Sequence, residues 1–354
     1  MLSEKRLVLI ALALAIAVSI FSHSMIWREW YYPTYGNTNV HVAFAQHLLK
    51  HGEYPLQNDY SYGGGIPSLY VPGYRIVLAG TMALVGNADF AQRLLVMLFA
   101  LLLPIGFFLL ARELFGNIAG IAAAFFASLP SELLIYTVRP LPQALGLVLL
   151  PFAFYAIAAN KKKTALALTL AIALVHQEAI VFLAAGAFAF AFFSFAVKFT
   201  ETKKISLPKE AGWTALLCWA LALVAYAGWH FFVLGNVNVF DLAQFSQHEG
   251  NAVAFNYYLE KTGLVVGIGG ILGLVLLTAR NALQPKEKEL LLIALALTGF
   301  LFVKNDLLGV KVFMDRFLVF LQIPLAILAA FVLKEALAYT TQFAEKILFP
   351  KESL

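Results

Sequence analysis

The sequence predicts an all-α integral membrane protein with about ten transmembrane helices and interfacial helices in a large first extracytoplasmic loop. Apolar residues make up 61% of its 354 positions and charged residues only 13%, so the mean hydropathy is +0.81. These values are typical of membrane proteins and exclude a soluble globular domain. The basic residues lie in short clusters between apolar runs, which argues against a nucleic-acid-binding surface.

Apolar runs recur along the whole chain. A helix needs roughly 20 residues to cross the hydrocarbon core. We assign spans to the runs 7–23, 91–111, 117–134, 141–159, 164–176, 178–197, 212–234, 262–279, 289–303 and 316–333. The runs on either side of "HQE" predict a broken pair of helices. A shorter apolar segment at 75–86 is expected to lie in the interface.

The placement of lysine and arginine predicts the orientation of these spans. With a cytoplasmic N-terminus, most of the 25 basic residues fall in inner segments such as "NKKKT". A crossing by 75–86 would turn these clusters outward, against the positive-inside rule. We therefore expect a multi-pass protein of the cell membrane whose termini are both cytoplasmic and whose functional loops are extracytoplasmic. The first run has no small-x-small cleavage site, so we interpret it as a retained span.

The chain is predicted to form a single polytopic membrane domain. Residues 1–115 hold the first span, the outer loop and the second span, residues 116–336 hold the remaining spans, and residues 337–354 form a cytoplasmic tail. The single cysteine, Cys218, excludes an intrachain disulfide.

The segment between the first two spans is polar and rich in turn signals. In "VHVAFAQHLLKHG", residues 40–52, apolar side chains recur at helical spacing, which predicts an amphipathic helix on the bilayer surface that Gly52 ends. The turns of "YPLQNDYSYGGGIPSLYVPGY" follow. His47 and His51 have the spacing of a zinc pair, but no further ligand is evident, so we interpret them as a solvated helix face.

The order of these segments resembles that of the GT-C superfamily of membrane glycosyltransferases. The resemblance is to archaeal forms related to oligosaccharyltransferases and protein O-mannosyltransferases, without their large soluble outer domain. It is carried by the run from His41 to Pro55, by "DYSYGGGIPSLYVPGY", "LLARELFGN" and "ALVHQEAIVFLAAG", and by "DRFLVFLQIPLAILAA" near the C-terminus. It is specific over residues 36–115 and 311–330.

The resemblance implies transfer of a sugar from a polyprenyl-phosphate donor in the membrane to a lipid, glycan or protein acceptor on the outer face. Such chemistry needs a carboxylate to take a proton from the acceptor, and cations or a metal to hold the leaving phosphate. A divalent metal, Mg or Mn, is therefore a further expectation, with Asp59 and Glu178 as its candidate ligands.

The position of the family's catalytic carboxylate, a few residues before His41, is occupied by Asn37. Asparagine forms hydrogen bonds but cannot act as a base. Asp59 is then the best remaining catalytic candidate and Glu53 the second, while His41 and Asn37 would line the site. A turn-capping role is the alternative for Asp59.

Ionisable residues at the outer ends of spans are the candidates for holding the donor phosphate. Charged groups within spans are costly and therefore suggest function, and arginine binds phosphate oxygens with two donors at once. Buried mutual pairing and snorkelling to the interface are the structural alternatives. The donor-binding candidates are Arg139, His176, Glu178 and Arg316, together with Tyr60 and Tyr62.

Two other classes of function fit the sequence. The asparagine at position 37 favours a non-catalytic GT-C-like protein that binds lipid-linked glycans. Broken helices and intramembrane charges also fit a transporter or flippase, although no internal repeat is visible. The sequence contains no P-loop and no GxGxxG motif, so a nucleotide-sugar donor is less expected than a lipid-phosphate donor.

Overall fold

The computed structural model describes residues 3–29, 37–59, 66–68, 70–204, 208, 210–235 and 254–348. These residues are almost entirely helical, as the sequence predicts. In chain order the helices are α1 (Glu4–Glu29), α2 (Thr38–His51), α3 (Gly73–Val85), α4 (Ala88–Phe115), α5 (Asn117–Phe126), α6 (Ser131–Thr137), α7 (Pro142–Ala158), α8 (Lys162–Val175), α9 (Gln177–Thr202), α10 (Glu210–Leu234), α11 (Phe255–Thr262), α12 (Leu264–Leu283), α13 (Glu287–Val303) and α14 (Met314–Leu348).

The loop between α1 and α4 contains the two short helices that the sequence predicts, and we call it the first loop. Helix α2 ends at Gly52, whose left-handed conformation (φ 73°) lets its N–H reach the carbonyl of Leu48. A small antiparallel pair follows, with β1 (Gln57–Asn58) against β2 (Ile66–Pro67). Helix α3 then packs on α2. Both helices are too short to cross a bilayer, as expected for helices that lie in the interface.

Helix α3 also begins in close contact with the end of α8. A Cβ atom on Gly73 would lie 2.5 Å from the carbonyl oxygen of Leu174, so a residue with a side chain cannot stand there without displacing backbone. The first loop is therefore fixed to the end of α8 at Val175.

Six of the described helices are long and apolar enough to cross a membrane: α1, α4, α9, α10, α12 and α14. Helices α5 and α6, bent by 72° at Pro130, would add a seventh if they form one broken span. The expected count of about ten therefore stays a prediction. Several predicted spans form shorter helices, since α7 and α13 have 17 residues each and α8 has 14.

Helices α4 and α14 occupy the interior, while most of α1 and α10 faces outward. The core between α7, α9 and α14 is aromatic, with the ring of Phe182 centred 5.4 Å from Phe320 and 6.1 Å from Phe154. Helices α12 and α14 approach closely, because a Cβ on Gly273 would lie 2.4 Å from the carbonyl oxygen of Leu328. Small residues permit such approach between helices in membranes.

Charged residues join α12, α13 and α14 at the ends that the sequence places in the cytoplasm. Glu289 is buried, and its carboxylate is 2.6 Å from Nη2 of Arg280 and accepts a hydrogen bond from the amide of Asn281 at 3.0 Å. Arg280 also lies 3.4 Å from Glu335. Because each partner of the buried carboxylate is in place, this network can fix the three helix ends relative to one another.

Candidate functional site

A buried arginine organises the described part of the first loop. Arg75, in the first turn of α3, is only 2% exposed. Its Nε donates to Nδ1 of His41 at 3.2 Å, and its Nη1 donates to the hydroxyls of Ser68, at 2.9 Å, and Tyr54. All three acceptors are uncharged groups, so the guanidinium keeps its positive charge without a carboxylate among these contacts.

Aromatic rings complete the surroundings of this guanidinium. Its central carbon lies 3.7 Å from the ring centre of Phe44 and 5.6 Å from that of Tyr70. The negative face of an aromatic ring stabilises a cation at such distances. Burial lowers the pKa of Arg75 and the neighbouring Tyr54 opposes this shift, but a guanidinium stays charged at any physiological pH.

His41, the histidine that carries the family resemblance, is buried beside Arg75. The rings of Tyr70 and Tyr74 meet it edge-on, with centroids 5.5 and 5.6 Å away. Burial lowers the pKa of His41 from its usual 6.5 to about 3, with further contributions from the charges of Arg75 and His176. The imidazole is therefore neutral under physiological conditions.

The predicted break between the fifth and sixth apolar runs is present and centres on His176. This residue is extended (φ −153°, ψ 128°) between α8 and α9. Its Nδ1 accepts a hydrogen bond from the N–H of Ala179 at 3.3 Å, so the side chain caps α9. A capping side chain satisfies one of the free N–H groups at a helix N-terminus. The break is thus a stable feature of the chain, with a buried imidazole inside it.

Glu178 lies in the first turn of α9 and contacts Arg316, the arginine predicted to hold phosphate. Its Oε1 is 3.6 Å from Nη1 of Arg316, and its Oε2 accepts a hydrogen bond from Nε2 of Gln143 at 3.4 Å. The Arg316 side chain is 45% exposed and also stacks over Phe313 at 4.8 Å. The carboxylate therefore holds one side of the guanidinium while part of it remains accessible to a ligand.

A polar network of α6, α11 and α14 lies beside this pair. Gln322 is fully buried; its Oε1 accepts from the N–H of Leu133 at 2.9 Å, and its Nε2 donates to the carbonyl of Lys261 at 3.2 Å. Nζ of Lys261 lies 3.5 Å from the carboxylate of Glu132. The charges of Glu132 and Arg316 both act on the hydroxyl of Tyr136, so this network and the arginine share one neighbourhood.

The proposed carboxylates of the first loop lie apart from these contacts. Asp59 is exposed on the turn after β1, and Glu53 is exposed just after α2. Asn37 is exposed at the start of α2, where its carbonyl accepts from the N–H of His41 at 3.2 Å. The catalytic roles of these residues stay predictions. Tyr60 and Tyr62 lie outside the described residues.

Arg139 occupies the short connection between α6 and α7. Its guanidinium carbon lies 5.4 Å from the ring centre of Tyr136, close to the neighbourhood of Arg316. The histidines 47 and 51 have their rings 4.5 Å apart along α2. Within the described part of the chain, no three His, Cys, Asp or Glu side chains come together in a way that could hold a metal.

Glu178, one of the two predicted metal ligands, already has two partners. Both oxygens of Glu178 face hydrogen-bond donors, and one of these donors is a cation, which is unfavourable for a metal ligand. The expectation of a divalent metal bound through Asp59 or Glu178 stays an untested prediction, and we derive no step through it.

Sequence reasoning missed the residues that support the site. In the sequence Arg75 is only the first residue of an interfacial segment, and no local pattern indicates Gln143 or Ser68. A lone arginine at the start of the apolar segment "RIVLAGTMALVG" was the available signal, because such a charge needs partners if it is buried. Its partner His41 is 34 positions away, which no local pattern could indicate.

Solved structures show the class of fold. The apo oligosaccharyltransferase of Archaeoglobus fulgidus matches 99% of this chain with a TM-score of 0.71 at 12% identity, and the match covers 53% of that protein. Its complex, named AglB, with an inhibitory peptide and a dolichol-phosphate matches with the same TM-score at 13% identity, covering 99% of this chain and 53% of that one. ArnT from Cupriavidus metallidurans, bound to undecaprenyl phosphate, matches 98% of this chain at 15% identity, with a TM-score of 0.59 and 64% of that protein covered.

The fold is therefore that of the GT-C membrane glycosyltransferases, as the sequence resemblance predicts. The chain spans about half the length of the archaeal oligosaccharyltransferase. Residues 4–310 match the model of a family of unknown function, DUF6541, and the chain belongs to that family. A search of curated proteins gave no match.

Proposed function

We propose that this protein is a membrane glycosyltransferase that moves a sugar from a polyprenyl-phosphate donor to a lipid, glycan or protein acceptor on the extracytoplasmic face. The observation that carries the proposal is the pair of Glu178 and Arg316 at the break between α8 and α9. The pair provides an accessible, oriented guanidinium on a fold whose neighbours were solved in complex with dolichol-phosphate and with undecaprenyl phosphate.

In the proposed reaction the acceptor nucleophile attacks the anomeric carbon of the sugar, and the bond from that carbon to the phosphate oxygen breaks. Negative charge develops on the leaving polyprenyl phosphate, where Arg316 would stabilise it through two N–H donors. Glu178 would hold the guanidinium in place. The proton of the acceptor would pass to a carboxylate, for which Asp59 on the first outer loop is our candidate.

A radiolabelled transfer assay tests this proposal. Membranes containing wild-type protein, Asp59→Asn or Asp89→Asn would receive a mixed pool of polyprenyl-phosphate sugars. Asp89, in the first turn of α4, is the matched control because it is a carboxylate away from the described site. We expect transfer by the wild type and the control, and its loss in Asp59→Asn. Transfer that survives in Asp59→Asn would remove this residue from the mechanism but keep the enzyme class.

A non-catalytic protein that binds lipid-linked glycans is the second candidate. Two observations favour it: position 37 holds an amide in place of a carboxylate, and both oxygens of Glu178 already have partners. This alternative predicts saturable binding of a polyprenyl-phosphate sugar by folded wild-type protein without transfer to any acceptor. Scrambling of the lipid across proteoliposomes without transfer would instead indicate a flippase.

A further inference from the structure

We infer that His41 and His176 are each locked as the neutral tautomer with the proton on Nε2, so that together they present two N–H donors to a phosphate oxyanion. Arg75 is the positioning residue for the first of them. The inference rests on the proposed function for its ligand, but the tautomers themselves follow from hydrogen-bond geometry alone.

The first lock is the contact between Nε of Arg75 and Nδ1 of His41, which are 3.2 Å apart. A guanidinium N–H can only donate a hydrogen bond. Nδ1 must therefore offer its lone pair, which excludes both the Nδ1–H tautomer and the doubly protonated ring. The remaining proton of the neutral ring lies on Nε2.

The guanidinium of Arg75, which fixes the tautomer of His41, cannot readily rotate away. Nη1 of Arg75 is bonded to Ser68 and Tyr54, and the guanidinium carbon lies 3.7 Å from the centre of the Phe44 ring. These contacts hold the outer end of the guanidinium in place and so fix the direction of its Nε–H bond. Arg75 therefore controls the protonation site of His41, and not only its position.

The second lock is independent of the first. Nδ1 of His176 accepts from the backbone N–H of Ala179 at 3.3 Å, and a backbone N–H likewise only donates. The ring proton of a neutral His176 therefore also lies on Nε2. Helix formation by α9 maintains this state, because the bond to Ala179 is the cap of that helix.

The two rings belong to one neighbourhood. Helix α3 begins with Gly73 against the carbonyl of Leu174, two residues before His176, and the ring of the next residue, Tyr74, meets His41 edge-on. The charge of a protonated His176 would accordingly act on His41. Among the described residues, the groups that contact His41 are Arg75 from α3 and the rings of Tyr70 and Tyr74. No hydrogen bond from Nε2 of His41 to another described residue is present. The guanidinium groups of Arg75 and Arg316 act on these two histidines. An anionic phosphate oxygen is therefore a suitable acceptor for the two neutral N–H donors.

Neutral donors have a particular advantage here. Neither imidazole needs to gain a proton before it binds the anion, so the two bonds are available over the whole physiological pH range. Neither ring can act as a base through Nδ1, because that atom is already an acceptor. In the proposed arrangement His41 and His176 bind the phosphate and do not act as bases, so the proton of the acceptor has to go elsewhere.

Nitrogen NMR of ¹⁵N-histidine-labelled protein in lipid nanodiscs tests the inference. The resonances are assigned by loss in His41→Asn and in His176→Asn. At neutral pH we expect an unprotonated Nδ1 and a protonated Nε2 for both residues. Adding undecaprenyl phosphate should shift both Nε2–H signals and leave both Nδ1 signals in place. Inorganic phosphate in a second sample distinguishes a site for the free anion from one that requires the lipid.

Variants distinguish the effect of Arg75 on the tautomer of His41 from a general contribution of Arg75 to folding. Arg75→Lys removes the Nε donor, so His41 should become a mixture of tautomers while His176 stays unchanged and serves as an internal control for folding. Ser68→Ala removes a different bond of Arg75 and should leave His41 locked. We also expect Arg75→Lys and His41→Asn each to weaken binding of undecaprenyl phosphate about tenfold.

A protonated Nδ1 or an imidazolium at either position in the wild type would overturn the inference, as would Nε2–H signals that neither phosphate probe shifts. Its failure is distinguishable from that of the proposed function. If both histidines show the expected tautomers and respond to phosphate but the protein transfers no sugar, only the proposed glycosyltransferase activity is refuted. Sugar transfer by a protein with the opposite tautomers would refute only this inference.

Discussion

Two arginines illustrate how the surroundings of one residue decide its use. Arg316 is paired with a carboxylate and almost half exposed, whereas Arg75 is buried among neutral acceptors and aromatic rings. The accessible guanidinium can meet a ligand, and the buried one can only organise its neighbours. The sequence indicates Arg316, because it follows an aspartate in a run that resembles the family, but it gives no comparable signal for Arg75.

Replacing Arg316 by lysine should lower kcat/KM for sugar transfer by about tenfold or more, because an ammonium group cannot hold two phosphate oxygens in one plane. Initial rates with a polyprenyl-phosphate sugar measure the effect. Arg93→Lys, the same exchange in the first turns of α4, is the control. Equal rates in the two variants would show that Arg316 does not hold the phosphate.

His41 should make stability depend on pH. Burial, aided by Arg75, lowers its pKa in the folded protein from 6.5 to about 3, so below about pH 6.5 only the unfolded chain binds a proton at this residue. This contribution to stability is fully present above pH 6.5 and declines toward pH 3, by about 1.4 kcal/mol per pH unit.

Unfolding midpoints in detergent, measured from about pH 7.5 to about pH 4.5, should therefore fall more steeply for the wild type than for His41→Asn. Asparagine retains an acceptor for Arg75 but does not titrate. Equal slopes for the two proteins would contradict a buried, neutral His41.

At the scale of elements, local signals predicted local structure. The apolar stripe and Gly52 predicted α2 and its end, and "HQE" predicted the break between α8 and α9. Neither signal indicates which residues far apart in the chain come into contact. Arg75 contacts His41, and Glu178 contacts Arg316, through the packing of helices that are separated in the chain. These two contacts could therefore not be predicted from the sequence.

The contact between α12 and α14 should tolerate no side chain at position 273. Gly273→Ala places a methyl group 2.4 Å from the carbonyl oxygen of Leu328, and separating the two backbones should cost about 1–3 kcal/mol. Thermal unfolding in detergent measures this loss. Gly228→Ala in α10 is the matched control, because no atom lies within 4 Å of its added Cβ. Similar melting temperatures in both variants would contradict the observed packing.

The network at the other end of the bundle leads to a second stability prediction. Glu289→Ala should destabilise the protein by about 3 kcal/mol, because Arg280 and Asn281 would lose a buried partner. Lys286→Ala should change stability by less than about 1 kcal/mol, since that side chain is 59% exposed and 3.7 Å from the same carboxylate. Unfolding in increasing denaturant compares the two, and equal losses would mean that the carboxylate is not effectively buried.

At the scale of the molecule, hydropathy and family resemblance predicted the fold class, and the match to GT-C structures confirmed it. They did not yield the number of spans, because an apolar run does not show where its helix bends. The runs at 117–134 and 164–176 are examples, since the first is interrupted at Pro130 and the second ends at His176. Composition also does not show which face of each helix meets a neighbour.

The orientation in the membrane remains a prediction that labelling can test. Cys218 is the single cysteine of the sequence, so Cys218→Ala provides a background without thiols. In that background a cysteine at Gln57 should react with an impermeant maleimide from outside intact cells, and one at Lys162 should react only after permeabilisation. The opposite pattern would place the first loop in the cytoplasm and remove the basis for an extracytoplasmic site.

The tight contact of α3 with the end of α8 couples two parts of the candidate site. Leu174, against which Gly73 rests, is two residues before the break at His176. A side chain at position 73 would push against the backbone that leads into this break, so it would disturb the first loop and the conformation of His176 together.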